Sequence, residues 1–540
     1  MPKMTCGNML AYLLEAYGVR HVFGIPGVHN VELYRGLWLT KIRHISPRHE
    51  QGAGFMADGY ARTTGKPGVA FVITGPGVTN IATAMGQAYG DSVPMLVIST
   101  VNRRHELGFG RGFLHEMPSQ RNLSAGLTAF THTLLRPQEL PDVLAAAFAV
   151  FSCSRPRPVN IEIPIDVLEE KIDFEPAEAA SFVRRLHPPG PSAEAIDEAM
   201  RIIAGAKRVM ILAGGGGAAA ASEITALAEA LEAPVQLTTN GRGILPPDHR
   251  LLANFGIGRD AGRALMNEAD AVIAIGTEIG ETDYDFYSSA PLSLSAPLIR
   301  IDIDPRQIAI GPRTAVGIVA DARTAVTALL ARLPGKAAKH DRRWTEATVA
   351  KLDELAGINR EPEDPIYDGL LDTLRAALTD PIVVGDSTKP AYRAAFSYRA
   401  PAARSFYCAG TGFGTLGYAL PAAVGAKIAH PDRPVVALAG DGGLQFTLPE
   451  LMSAREAEAG IILLIWNNNG YREIKDFMIA KEIKPIAVDI APPDFVKVAA
   501  AMGLAGKRIE TLAELKAALA KHPRNAKAPL VLEAGPWIKG

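Results

Sequence analysis

Asp441 stands between Gly440 and Gly442 at the end of the apolar run Val435–Ala439. A helix-like stretch and a second apolar run follow, and that run ends at Trp466 in Asn467-Asn468-Asn469-Gly470. Two apolar runs around one helix predict parallel strands joined by a crossover. Asp441 and Asn468 then share the C-terminal edge of a parallel sheet, where open α/β sheets take their ligands. A carboxylate, an amide oxygen and a backbone carbonyl are hard donors that suit Mg2+ shared with phosphate and water. Gly440, Gly442 and Gly443 let backbone N–H groups close on a diphosphate. The expected site is a Mg2+-bound diphosphate, with the metal held by Asp441, Asn468 and the carbonyl of Gly470. The plain alternative is two unrelated turns, Asp-Gly and Asn-Gly. The strand–helix–strand frame around both favours the ligand site.

Three further segments hold candidate residues. Glu50 opens a helix-like run rich in small residues, Gly52, Ala53, Gly54, Ala57 and Gly59, which permit close approach. A carboxylate favoured by the helix dipole is the simpler reading of Glu50. Thr74–Asn80 follows a predicted strand and reads as a ligand loop, with a plain Gly-Pro-Gly turn as the alternative. His115, in the loop Gly110–Gln120, has a side chain that can carry a proton near neutral pH. A surface-loop histidine is the alternative.

These residues need a scaffold. At 540 residues the chain exceeds one hydrophobic core, and about three domains of 150–200 residues are expected. Apolar strands alternate with helices in three successive blocks, which predicts parallel α/β sheets throughout. Glu169–Pro191, rich in Ala, Pro and charge, reads as a linker. The formal net charge is -1, so nothing points to nucleic acid or an anionic membrane. No apolar stretch is long enough to span a bilayer. Cys6, Cys153 and Cys408 fit neither a metal spacing nor a disulfide framework, so a cytoplasmic setting is expected.

The Asp441 and Asn468 segments together resemble the thiamine-diphosphate signature. The whole chain resembles the acetohydroxyacid-synthase-like family of thiamine-diphosphate-dependent enzymes. The resemblance implies a pyrimidine-binding domain (1–170), a central Rossmann-like domain (190–335) and a diphosphate-binding domain (360–540). It implies thiamine diphosphate and Mg2+ as cofactors, and a small 2-oxo acid as substrate. Glu50 matches the glutamate that hydrogen-bonds the aminopyrimidine ring and promotes cofactor activation. Thr74, Pro76 and Asn80 match the loop lying against that ring. Leu416 matches the bulky residue that bends the cofactor, and Gly414 lies beside it with backbone groups for the pyrimidine. Ser387 and Thr388 are further diphosphate candidates. The resemblance also implies a homodimer or homotetramer, with Glu50 of one subunit facing the diphosphate domain of another.

Two outcomes are open to such an enzyme: release of an aldehyde, or ligation to a second carbonyl as in acetolactate synthases. His115 stands where acetohydroxyacid synthases carry Gln, and some decarboxylases place a His in this region. His29 follows the substrate-facing loop. Val28 stands where pyruvate decarboxylases carry Asp. The segments around His29, Glu50 and His115 resemble the branch that decarboxylates 5-guanidino-2-oxopentanoate to 4-guanidinobutanal. A guanidinium needs a carboxylate partner, and Glu473 and Asp476 are the nearest candidates, although a solvated helix face explains them too. The glycines Gly214–Gly217 after an apolar strand suggest a nucleotide-binding oxidoreductase, but no acidic residue ends the next strand, which runs into Leu237-Thr238-Thr239-Asn240.

Overall fold

The computed structural model describes residues 3–253, 260–284, 292–333, 340–358 and 361–539. The expected domain limits at 1, 335, 360 and 540 lie outside these residues. The fold class matches the α/β expectation, with three sheets of six strands each. Every strand pair within them is parallel. The central strands are continuous apolar runs because helices cover both faces.

The first sheet contains β1 (His21–Gly24), β2 (Arg43–Ile45), β3 (Gly68–Val72), β4 (Met95–Val101), β5 (Phe130–Thr133) and β6 (Val159–Pro164). Its spatial order is β2-β1-β3-β4-β6-β5. The second contains β7 (Val209–Ala213), β8 (Val235–Leu237), β9 (Leu252–Ala253), β10 (Ala271–Ile275), β11 (Leu298–Asp302) and β12 (Val316–Val319). Its order, β9-β8-β7-β10-β11-β12, is that of a doubly wound dinucleotide fold. The third contains β13 (Ile382–Gly385), β14 (Phe406–Cys408), β15 (Val435–Gly440), β16 (Ile462–Trp466), β17 (Ala505–Arg508) and β18 (Leu530–Ala534). It runs β14-β13-β15-β16-β18-β17, repeating the first sheet's topology.

That shared topology positions the site. A crevice opens where successive connections leave a sheet in opposite directions. In the first sheet this lies between β1 and β3, whose ends lead to His29 and to Thr74. In the third it lies between β13 and β15, whose ends lead to Asp386 and Asp441.

The first and third sheets are joined through two helices, Glu50–Thr64 and Ala419–Ala429. Glycine at the crossing lets the backbones meet: a Cβ on Gly425 would lie 1.9 Å from Met56 O. One expectation changes in the linker. Lys171–Asp173 pairs antiparallel with Lys3–Thr5, and Phe174 and Ala179 are buried in the first domain's core. These anchors are too sparse to give the sequence a period, which is why the tract reads as open chain. The helix after Asp441 is also divided, into Asp441–Leu444 and Glu450–Glu456.

Candidate active site

The structure brings Asp441, Asn468 and Gly470 together. Asp441 is 1% exposed. Its Oδ2 accepts from Gly470 N at 2.9 Å and its Oδ1 from Asn468 N at 3.3 Å. Burial raises the Asp441 carboxyl above its usual range, and these amides oppose the rise. Gly470 adopts φ +146, and a Cβ there would lie 2.2 Å from Val488 O, so no other residue fits. With its Oδ1 turned inward, Asn468 sits 3.0 Å from Gly470 O and 3.2 Å from Asp441 Oδ1. With Nδ2 turned inward instead, the amide donates to both oxygens, and with Oδ1 inward the three oxygens face one point, as a cation needs. Octahedral Mg2+, with oxygens at about 2.0–2.1 Å, spaces adjacent ligands by about 3 Å. The donor set and its spacing therefore fit the metal. Among the described residues no group of three or more His, Cys, Asp or Glu could hold one instead.

Leu416 lies against this loop: its Cδ2 is 3.5 Å from where a Cβ on Gly443 would sit. The turn carrying it has Gly414 at φ +71. Asp386, which follows β13, accepts from Ser387 N at 2.8 Å, Gly417 N at 3.2 Å and Ala419 N at 3.2 Å. Burial raises its carboxyl to about 6 against these amide bonds. Ser387 Oγ donates to Thr415 O at 3.3 Å, and Thr388 Oγ1 lies 3.1 Å from a Cβ placed on Gly440. Gln87 Oε1 accepts from Thr415 N at 3.2 Å, tying the turn to the first domain.

A second group forms in the first domain. Glu50, 8% exposed, opens its helix as expected and accepts from Asn80 Nδ2 at 2.9 Å. The helix start is fixed from the third domain, because buried Glu450 accepts from Arg48 N at 3.0 Å and His49 N at 3.1 Å. Pro76 opens the helix Pro76–Gly90, and Thr74 is buried before it. His115 and His29 meet with ring centroids 5.0 Å apart. His29 Nδ1 is buried without a hydrogen-bond partner, and burial, then His115, lowers its pKa. Val28 is exposed. Among the described residues, no hydrogen bond or ion pair joins Glu50 or Asn80 to Asp441, Asn468 or Gly470 within one chain.

Glu473 and Asp476 are already paired. Glu473 lies 2.7 Å from Lys389 Nζ, which also meets Glu361 at 2.6 Å. Asp476 meets Arg472 at 2.9 Å. A guanidinium at Glu473 must displace the Lys389 ammonium. The sequence reading missed Asp386, Gln87, Lys389 and Glu450, as well as the buried pair Gln120 and Glu162. Ser387 beside Asp386, and the loop Gly110–Gln120 that ends at Gln120, were the nearby signals.

Three thiamine pyrophosphate enzyme models match the chain: the N-terminal TPP binding domain over residues 4–123, the central domain over 196–329 and the C-terminal TPP binding domain over 384–534. A protein of Pseudomonas aeruginosa described as "Probable 2-ketoarginine decarboxylase AruI" is 46% identical over 95% of this chain and 91% of its own length. This chain belongs to the thiamine pyrophosphate enzyme family. Its acetolactate synthase relatives are more distant. The "Probable acetolactate synthase large subunit" of Methanocaldococcus jannaschii is 32% identical, covering 93% of this chain and 87% of its own. The "Acetolactate synthase isozyme 1 large subunit" of Escherichia coli is 31% identical, covering 86% and 82%. As a thiamine pyrophosphate enzyme, the chain uses thiamine diphosphate, with Mg2+ as the family's usual metal. Among the described residues no helix is long and apolar enough to cross a membrane.

Proposed function

We propose that this enzyme decarboxylates 5-guanidino-2-oxopentanoate (2-ketoarginine), giving 4-guanidinobutanal and CO2. The 46% identity with a 2-ketoarginine decarboxylase carries the choice of substrate. The cation-spaced oxygens of Asp441, Asn468 and Gly470 support Mg2+ as the anchor for the cofactor's diphosphate. Bound thiamine diphosphate supplies the carbon nucleophile and the electron sink that accepts the pair released as CO2 leaves.

The chain's own residues do the rest. Glu50 holds and exchanges a proton at the aminopyrimidine ring, oriented by Asn80. Thr74, Pro76, Gly414 and Leu416 would hold the ring end of the cofactor. Gly440, Gly442 and Gly443 would offer backbone amides to the diphosphate. His115, with His29 beside it, delivers the proton that replaces the carboxylate: the 2-oxo acid anion plus one proton yields aldehyde plus CO2. Val28 borders the substrate. Glu473 receives the guanidinium in exchange for Lys389.

Glu50 and Asp441 act on one cofactor in a homodimer or homotetramer, each site using Glu50 from one subunit and Asp441 from another. We assign the domains to 1–170, 190–335 and 360–540. We assign the enzyme to the cytoplasm, where its three free cysteines stay reduced. A second reading, acetolactate-type ligation, draws on the relatives near 32% identity. The test is a panel of 2-oxo acids with thiamine diphosphate and Mg2+, scoring aldehyde against ligation product. Turnover of the guanidino acid above pyruvate, with aldehyde as product, is expected. Equal or better use of pyruvate overturns the substrate.

A further inference from the structure

We infer that Gln120 and Glu162 are positioning residues for His115, acting through the single peptide unit between Thr74 and Gly75. The inference deepens, and rests on, the reading of His115 as the proton carrier.

The chain of contacts is continuous. Glu162 ends no chemistry described above, yet it is 4% exposed on β6. Its Oε1 accepts from Thr133 Oγ1 at 2.5 Å and its Oε2 from Gln120 Nε2 at 3.1 Å. Gln120, also 4% exposed, uses its second amide hydrogen on Thr100 O at 2.8 Å. Its Oε1 accepts from Gly75 N at 2.9 Å. Turning the amide over would set its oxygen against a carboxylate and a carbonyl, so the partners fix its orientation. The carbonyl of the same peptide, Thr74 O, lies 3.0 Å from His115 Nδ1. A carbonyl only accepts, so Nδ1 carries the hydrogen and the neutral ring presents its free lone pair at Nε2.

The backbone at this point is unusual on both sides. Gly75 adopts φ 68 and ψ -103, and a Cβ there would lie 2.5 Å from His115 O. His115 itself has φ 61, a left-handed conformation for a non-glycine residue. Such conformations persist only when surrounding contacts hold them. Gln120 provides that hold on the peptide between them. It sets the rotation of the Thr74–Gly75 plane, and the plane sets the tautomer of His115.

The arrangement does by relay what a buried carboxylate does directly in a catalytic triad: it selects the imidazole tautomer. Glu162 polarises the Gln120 amide, the amide polarises the peptide, and the peptide meets the ring. Nε2 is thereby the atom that exchanges a proton with the substrate side of the cleft, where His29 also lies. The network runs along the C-terminal ends of β5, β6, β4 and β3 and meets the crevice between β1 and β3 at Thr74 and His115, beside His29.

The experiment uses the full-length holoenzyme with 15N-labelled histidine. Solid-state 15N spectra at a pH where His115 is neutral report which ring nitrogen carries hydrogen, and the His115→Gln spectrum identifies its signal. Wild type is expected as the Nδ1–H form alone. Gln120→Met, which keeps the volume but removes every bond, is expected to give a mixture of tautomers. The fall in kcat is about 10–100-fold with KM nearly unchanged. Glu162→Gln keeps size and a hydrogen-bond acceptor, removes the charge, and covers the case in which Gln120→Met does not fold. It is expected to weaken the tautomer preference with a smaller loss of kcat. A pure Nδ1–H signal in both folded variants overturns the inference, as does an Nε2–H form in wild type. Retained turnover in His115→Gln would instead remove His115 from proton delivery while leaving the tautomer result to judge the network.

Discussion

Replacing Glu50 with Gln isolates the proton from the scaffold. The substituted side chain keeps its length, and its amide oxygen can still accept from Asn80 Nδ2, now 2.9 Å from the carboxylate. The neighbouring amides of Arg48 and His49 are held by Glu450, not by Glu50. The helix start therefore stays in place, and the cost is that of weakening one charge-assisted hydrogen bond, about 1 kcal/mol. Loss of an acid–base group costs about 10²–10⁴ in rate, or about 3–5 kcal/mol of barrier. The assay has three parts on the same preparations: melting temperature, thiamine diphosphate affinity by fluorescence quenching at saturating Mg2+, and aldehyde formation through a coupled dehydrogenase. The expected result is a near-native melt, cofactor binding within about threefold of wild type, and kcat reduced at least about a hundredfold. A kcat within about threefold of wild type refutes the role given to Glu50. A loss explained wholly by weaker cofactor binding makes Glu50 a binding group only.

Three other outcomes follow from the site. Asp441→Asn should raise the Mg2+ needed for half-maximal activity by at least the ~10–100-fold that outer-shell changes cost, and an unaltered Mg2+ titration would contradict the cradle. Glu473→Gln leaves Lys389 paired with Glu361 at 2.6 Å. It should raise KM for the guanidino acid about tenfold or more, the value of a charge-assisted bond, while pyruvate changes little; equal effects on both substrates would count against the guanidinium contact. Asp386 has a folded-state carboxyl raised to about 6, so its contribution to stability is greatest below its unfolded value, about 3.9, and is lost as pH rises through about 6. That share is on the order of 3 kcal/mol. Asp386→Asn should flatten the pH 4–6 dependence of the denaturation midpoint, and an unchanged slope would show that other groups set it.

The part of the site legible in the sequence is the part built from neighbouring segments. Asp441 and Asn468 are 27 residues apart, and the strand–helix–strand between them fixes their relation without knowledge of the rest. Three α/β blocks are legible for the same reason, since β3, β7 and β15 are apolar runs bounded by glycine turns. Glu50 with Asn80 needed the family resemblance, because two helices from different strands bring them together. Gln120 and Gly75 lie in segments the sequence marks, but nothing local pairs them, and nothing local pairs Glu450 with Arg48. Parallel sheets close such contacts over long stretches of chain, 402 residues in the second case, and no period or turn marks them. The linker was misread because two buried residues, Phe174 and Ala179, are enough to dock a polar tract. Glu473 reads as a free helix-face carboxylate until Lys389 arrives from another strand end.

Mixing two impaired variants, at a Mg2+ concentration that saturates wild type but not Asp441→Asn, asks whether one cofactor is shared by two subunits. Glu50→Gln and Asp441→Asn homo-oligomers are dissociated together, reassociated, and assayed with thiamine diphosphate, Mg2+ and 5-guanidino-2-oxopentanoate. If each site pairs Glu50 of one subunit with Asp441 of the other, half of randomly reformed dimers are mixed and carry one intact site, returning about a quarter of wild-type activity. If both residues serve a site within a single chain, every site keeps one defect and the mixture stays as inactive as its components.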